Sequence, residues 1–294
     1  MLNFNEAMLA FFSKISCRKF LSLLNLAIFA AISKQKLLHR VTNGSFAPDK
    51  LLASSLSLHH FITKRMSWLS KFFSSSIGQK VIMSLTGIFL MLFLIVHLLG
   101  NFQLLKDDGG EAFNTYAFFM THNPIIKTIS YGLYAFILLH TVQGLRLWIS
   151  NRASRGSERY AVTYTRSSER SARNMAWFGI VIFIFLILHL WQFWLQMKLG
   201  VLPAVEVAAY DHPVQNLYLP VAVAFQNIFY VVFYVVCMIV VGFHLWHGFW
   251  SSFQTLGLAH HKYSPIIKGF GYVYSVGMAV GFAAIPIVSY FSKV

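Results

Sequence analysis

The chain has 294 residues, of which 57% are hydrophobic and only 11% charged, with a mean hydropathy of +0.60. A soluble domain carries roughly a quarter charged residues, so this composition excludes a water-facing globular fold and points to an integral membrane protein. The formal charge of +15 does not mark a nucleic-acid binder, because the apolar runs are too long for that class and the basic residues fall in the loops between them.

Residues 1–65 read differently from the rest. A short apolar run, Phe20–Ile32, is flanked by Lys14, Arg18 and Lys19 on one side and by Lys34, Lys36, His39 and Arg40 on the other. It is short for a membrane span and nearer a signal-peptide core or an interfacial helix. Met66 opens MSWLSKFFSSSIGQK, which has the character of a protein start, so residues 1–65 are either an N-terminal extension or upstream sequence joined by a mis-assigned start.

Five uncharged runs follow: span I at Val81–Gln103, span II roughly at Thr128–Leu145, span III at Asn174–Met197, span IV within Val221–Phe253 and span V at Gly269–Ser292. Each is long enough to cross a bilayer as a helix. The expected fold is therefore all-α, a five-helix transmembrane bundle over residues 66–294. Span V carries Gly271, Gly277, Gly281 and Pro286 but no histidine or charge, so it reads as structural, with small residues for close packing and a proline kink. Two cysteines are too few for a disulfide framework or a thiolate cluster, and Cys237, inside span IV, reads as a packing residue.

Loop charges orient the bundle. Residues 64–80 hold Lys64, Arg65, Lys71 and Lys80 without an acid, and the II–III connection holds Arg152, Arg155, Arg159, Arg166, Arg170 and Arg173 against Glu158 and Glu169. The IV–V connection adds Lys262 and Lys268. The I–II and III–IV connections are not basic: Lys106 faces Asp107, Asp108 and Glu111, and Lys198 faces Glu206 and Asp211. This alternation puts the start of span I in the cytoplasm, with span V ending outside.

Spans I to III each contain one histidine, His97, His140 and His189, and span IV contains His244 and His247. An imidazole in hydrocarbon must be satisfied by a neighbour or bound to something. At 1.5 Å per residue, His97 lies about 24 Å from the inner end of span I and His189 at a similar depth in span III. Spans II and IV run the other way, with their histidines in the later part. His97 and His189 thus share the outer half of the membrane, and His140 and His244 the inner half. Two imidazole pairs at two depths suit two bis-histidine b-type haems. Zinc fits less well, because its ligands converge on one depth and usually include carboxylates or thiolates. Gly144 and Gly248 each lie four residues after a histidine, where a glycine lets a flat ring approach the backbone. That spacing favours His244 over His247 as the fourth ligand. Arg146 reads either as a propionate partner or as a snorkelling interface residue.

The strings SSIGQKVIMSLTGIFLMLFLIVHLLGNFQLL, GGEAFNTYAFFMTHNP, HTVQGLRLWISNR and HLWHGFWSSFQTLGLAHHKY together resemble the cytochrome b subunit of the succinate dehydrogenase/fumarate reductase family, in its single-anchor, five-helix, di-haem form. The resemblance covers residues 66–294. It implies His140 with His244 for one haem b and His97 with His189 for the other. It also implies a flavoprotein subunit and an iron–sulfur subunit on the cytoplasmic face of a bacterial inner membrane, and a quinone, menaquinone or another, as membrane substrate. The basic inner loops would suit those partners or anionic lipid headgroups equally. For the quinone, the outer side offers Asn101, Gln103, Glu111 and Gln192, with Glu111 as the expected proton carrier. One departure stands out: some members carry a glutamate two residues before the span IV ligand as a compensating proton path, and here that position is Gly242. A cytochrome b anchor of another quinone-linked dehydrogenase, or a haem-free transporter or structural protein with packed histidines, remain the alternative readings of the same residues.

Overall fold

The computed structural model describes residues 68–154 and 170–292. The expectations for residues 1–65 and for the arginines between positions 155 and 166 lie outside the described residues.

A short helix α1 (Trp68–Ser74) leads into α2 (Ser76–Asn101), which carries span I and closes in a 3-10 turn at Phe102–Leu105. Ser75 caps α2 by accepting from the Gly78 amide at 3.0 Å. The outer I–II connection is itself helical: α3 (Glu111–His122) follows a turn in which Gly110 takes φ +88°, a conformation that suits glycine. Asp108 accepts there from the Gly110 and Ala112 amides at 2.9 and 3.0 Å.

Span II is α4 (Pro124–Ser154), longer than its uncharged run because polar ends continue the helix beyond the apolar core. Span III is α5 (Arg170–His189), followed by a π-helical segment at Leu190–Leu195 and a last turn, α6 (Gln196–Leu199). The III–IV connection forms a two-stranded antiparallel ladder, β1 (Ala204–Val205) with β2 (Val214–Gln215). Span IV is broken near its outer end. Helix α7 (Tyr218–Phe225) stops at Gln226, and Asn227 caps a new helix, α8 (Ile228–Thr255), by accepting from the Phe229 amide at 3.0 Å. Span V is α9 (Ser264–Phe291), with Pro286 inside it and almost fully buried.

Five of these helical segments are long and apolar enough to cross a membrane. Helix α2 packs against α4 and α8, and α5 packs against α4 and α8. Spans I to IV therefore close into a ring in which sequence neighbours lie side by side, with span I diagonal to span III and span II diagonal to span IV. Helix α9 lies outside this ring against α8 and α2. Its small residues admit those neighbours: a Cβ on Gly271 would lie 2.6 Å from Phe249, and one on Gly281 would lie 2.7 Å from Leu98. Gly277, also expected to support packing, has open space beside it. Gly242 on α8 faces α9, where a Cβ would come within 3.0 Å of the Ala279 Cβ. That contact leaves no room for a glutamate side chain without separating the two helices.

Candidate functional site

The ring brings four of the five span histidines together as two diagonal pairs. His97 on α2 faces His189 on α5 with ring centres 5.9 Å apart and planes at 89°. His140 on α4 faces His244 on α8 with ring centres 6.4 Å apart and planes at 69°. All four rings are half-buried between apolar helices.

Three helices agree on the separation of these levels. On α2 the inner level is marked by Thr86, beside His140, and the outer by His97, eleven residues on. On α5 the marks are Gly179, beside His244, and His189. On α8 they are His244 and Tyr234, which touches His189. Ten or eleven residues of helix correspond to about 15–17 Å. One such agreement could be a local accident; three helices agreeing define two separate levels.

The ring nitrogens are not equivalent. His140 Nδ1 lies 3.1 Å from Thr86 Oγ1, while the Thr86 hydroxyl donates to the Ile82 carbonyl at 2.8 Å. The threonine oxygen is then left to accept, so the network assigns the proton to Nδ1 and the lone pair to Nε2. His189 Nδ1 lies 3.4 Å from the Tyr234 hydroxyl. His97 Nε2 lies 3.4 Å from Asn101 Nδ2, a donor, so this nitrogen too carries its lone pair. His244 Nδ1 is buried with no hydrogen-bond partner among the described residues. No group of three or more histidine, cysteine, aspartate or glutamate side chains able to hold a metal occurs among the described residues.

Aromatic rings pack the outer pair. Phe93 stacks on His97 at 5.2 Å, Phe185 stacks on His189 at 5.7 Å, and Phe193 meets His189 edge-on. The π-helical segment begins immediately after His189; such segments widen a helix locally and recur at functional sites. It buries Gln192, whose Oε1 has no partner among the described residues, and sends Trp194 Nε1 to the Tyr134 hydroxyl of span II at 2.8 Å.

The glycines nearest the imidazoles differ from those expected. A Cβ on Gly144 would lie 3.2 Å from the Met83 methyl and one on Gly248 3.6 Å from the Met91 methyl. The glycines beside histidines lie on neighbouring helices: a Cβ on Gly87 would lie 3.3 Å from His140 Cε1, and one on Gly179 4.0 Å from His244 Cε1. Thr86, Gly87 and Tyr234 escaped sequence reasoning because their partners are distant in the chain. A usable signal was present for Gln143, which was not expected, and for Gln192, which was expected only as a polar residue for the quinone. Gln143 and Gln192 each lie three residues after a span histidine, on its face of the helix, and both are buried with an unpartnered amide atom among the described residues.

The remaining candidates fall into separate places. Arg146 is exposed and lies six residues after His140, about 120° around the helix from it, so the structure does not bring it to the inner pair. Gln103 and Glu111 line an outer groove of about 580 Å³ together with Lys106, Tyr116, Phe119 and Tyr210. Glu111 Oε1 accepts from the Ala208 amide at 3.0 Å. The Tyr116 ring packs directly on Gly100, one turn beyond His97, so the groove borders the outer pair. Burial pushes the Tyr116 phenol above its ordinary pKa. Burial does the same to Tyr218, and the Asp108 and Asp107 carboxylates add to it.

Fold and composition define a multi-pass helical membrane protein with two intramembrane histidine pairs. No protein-family model, curated protein or solved structure matches the chain.

Proposed function

We propose that the chain is the membrane anchor and di-haem cytochrome b subunit of a succinate:quinone oxidoreductase, linking an iron–sulfur partner on the cytoplasmic face of a bacterial inner membrane to membrane quinone. The observation that carries this reading is the pair of diagonal imidazole contacts at two levels. Two imidazoles bonded through nitrogen to opposite sides of one metal, at about 2 Å each, hold their ring centres about 6 Å apart, and both pairs have this spacing. Two nitrogens are too few for a protein zinc site, which takes three or four protein ligands. They are the right number for haem, whose macrocycle supplies the other four donors.

The residues fit the group in three further respects. His140 keeps its Nε2 lone pair free of donors among the described residues, whereas that of His97 faces Asn101 Nδ2, which has to turn aside for a ligand. Thr86 and Tyr234 occupy the supporting position that a ligating histidine needs on its second nitrogen. Flexible methionines, Met83 and Met91, lie where Gly144 and Gly248 open the helix surface. Bound haem supplies reversible one-electron chemistry at each level. The chain holds His140 in one tautomer through Thr86, keeps water from the outer imidazoles with Phe93 and Phe185, and separates the levels by about half a membrane. The outer groove, with Gln103 and Glu111, is the favoured place for the quinone headgroup because it borders the outer pair. The flavoprotein and iron–sulfur partners follow from the family resemblance alone.

A reduced-minus-oxidised spectrum with haem quantification tests the reading. Two haems per chain are expected in the purified protein, with loss of one after His97→Ala or His189→Ala and of the other after His140→Ala or His244→Ala. No haem in a folded preparation sinks it. Two haems with a co-purifying hydrogenase or formate dehydrogenase instead of a succinate-oxidising flavoprotein would keep the cytochrome and change the complex.

A further inference from the structure

We propose that Tyr234 and Tyr230 form a hydroxyl relay that positions His189 and sets its strength as an electron donor, so that this relay tunes the redox potential at the outer level and not at the inner one. The inference rests on the haem reading above and deepens it.

The geometry begins with Tyr234 on α8, buried, its hydroxyl 3.4 Å from His189 Nδ1 on the adjacent α5. Tyr230 lies one turn earlier, also buried, with its ring 4.9 Å from that of Tyr234. A tyrosine hydroxyl has one proton to give and lone pairs to receive. When Tyr234 gives its proton to Tyr230, its oxygen is left to accept from the imidazole. His189 then carries its proton on Nδ1 and its lone pair on Nε2, the form that binds a metal. An acceptor on the far nitrogen also raises the basicity of the ligand.

The surroundings hold this arrangement. Phe185 meets the Tyr234 ring edge-on at 5.0 Å, and Phe225, from the far side of the break in span IV, does so at 5.3 Å. The break at Gln226 and Asn227 therefore has a structural consequence: it brings the end of α7 back over the tyrosine pair. At the inner level His140 is supported by the Thr86 hydroxyl instead, which is tied to its own helix and extends to no second phenol.

A more basic ligand stabilises oxidised iron, so removing the acceptor should raise the outer potential. The experiment is a spectroelectrochemical titration of the purified full-length protein, with the outer step assigned in a His140→Ala background. Tyr234→Phe is expected to bind two haems and to raise the outer potential, by up to about tenfold in the reduced-to-oxidised ratio, or about 59 mV for one electron. The inner step should stay where it is, and the low-spin electron paramagnetic resonance signal of the outer centre should shift. Tyr230→Phe should give a smaller change of the same sign, and the double variant should match Tyr234→Phe. An unchanged outer potential and signal in a two-haem Tyr234→Phe protein overturns the relay, as does a shift confined to the inner step. If Tyr234→Phe does not accumulate, Tyr230→Phe decides alone, and an unmoved outer potential there also overturns it. Absence of haem from the wild-type protein is a different failure, because it removes the underlying reading and the relay with it.

Discussion

The Thr86 hydroxyl lies 3.1 Å from His140 Nδ1 and donates its own proton to the Ile82 carbonyl at 2.8 Å. One side chain of span I thereby selects the tautomer of a histidine in span II. Thr86→Val keeps the shape and removes the acceptor. It should weaken cofactor retention at the inner level by about 10–100-fold, the usual cost of losing such a support, and leave the outer level intact. Thr86→Ser should restore it. Haem content during dilution or competition with apomyoglobin checks both.

Gly87 follows Thr86 and faces the same imidazole. A Cβ there would lie 3.3 Å from His140 Cε1, a tight contact that a small ring shift can absorb. Gly87→Ala should therefore be nearly silent, whereas Gly87→Leu should push the His140 ring away and yield a chain with one haem. A two-haem Gly87→Leu protein would mean that the inner imidazoles do not meet here.

On the outer side, Asn114 is only 2% exposed and ties α3 to the start of α7. It accepts from the Tyr218 amide at 3.0 Å and donates to Asn216 at 3.1 Å. Asn114→Ala leaves the part-buried Tyr218 amide without its acceptor, while Asn216 still accepts from the Leu219 amide, and should cost about 1–3 kcal/mol, read as a lower thermal midpoint in detergent. The expected signature is outer-loop proteolysis at temperatures where the spans remain folded.

Glu111→Gln keeps an oxygen to accept from the Ala208 amide but removes the charge and the exchangeable proton. Quinone turnover should stop while both haem spectra persist. Unchanged turnover would remove Glu111 from the proton path.

Alkaline stability gives a further check. The folded phenols of Tyr116 and Tyr218 ionise at higher pH than an ordinary tyrosine, through burial and, for Tyr218, through the nearby Asp108 and Asp107. The folded state then holds these protons more tightly than the unfolded chain. Their stabilisation is fully present below the unfolded value of about 10 and is lost as pH rises from there through the folded value. Replacing both by Phe should flatten the fall of thermal stability above about pH 10.

The span helices and the depths of their histidines were legible in the sequence because hydrophobic length and loop charge act locally, and a bilayer allows few alternatives to a helix. The pairing of His97 with His189 and His140 with His244 followed from depth and direction along the chain, and the ring of spans I to IV brings those same residues together. The break in span IV was hidden, because Gln226 and Asn227 are only two polar residues within a long apolar stretch. The outer helix Glu111–His122 was hidden by a connection that read only as a charged loop.

What the sequence determined by itself is therefore an axial coordinate: which residues lie at which level along the bundle. What only the tertiary structure decided is the lateral one. Which helix faces which depends on packing between residues far apart in the chain, and so do the partners of the second ring nitrogens. Thr86 beside His140, Tyr234 beside His189, and Gly242 closed off against Ala279 all depend on contacts between different helices. No spacing within one span encodes such contacts, because helical periodicity specifies which face a residue occupies and leaves open which neighbour that face will meet.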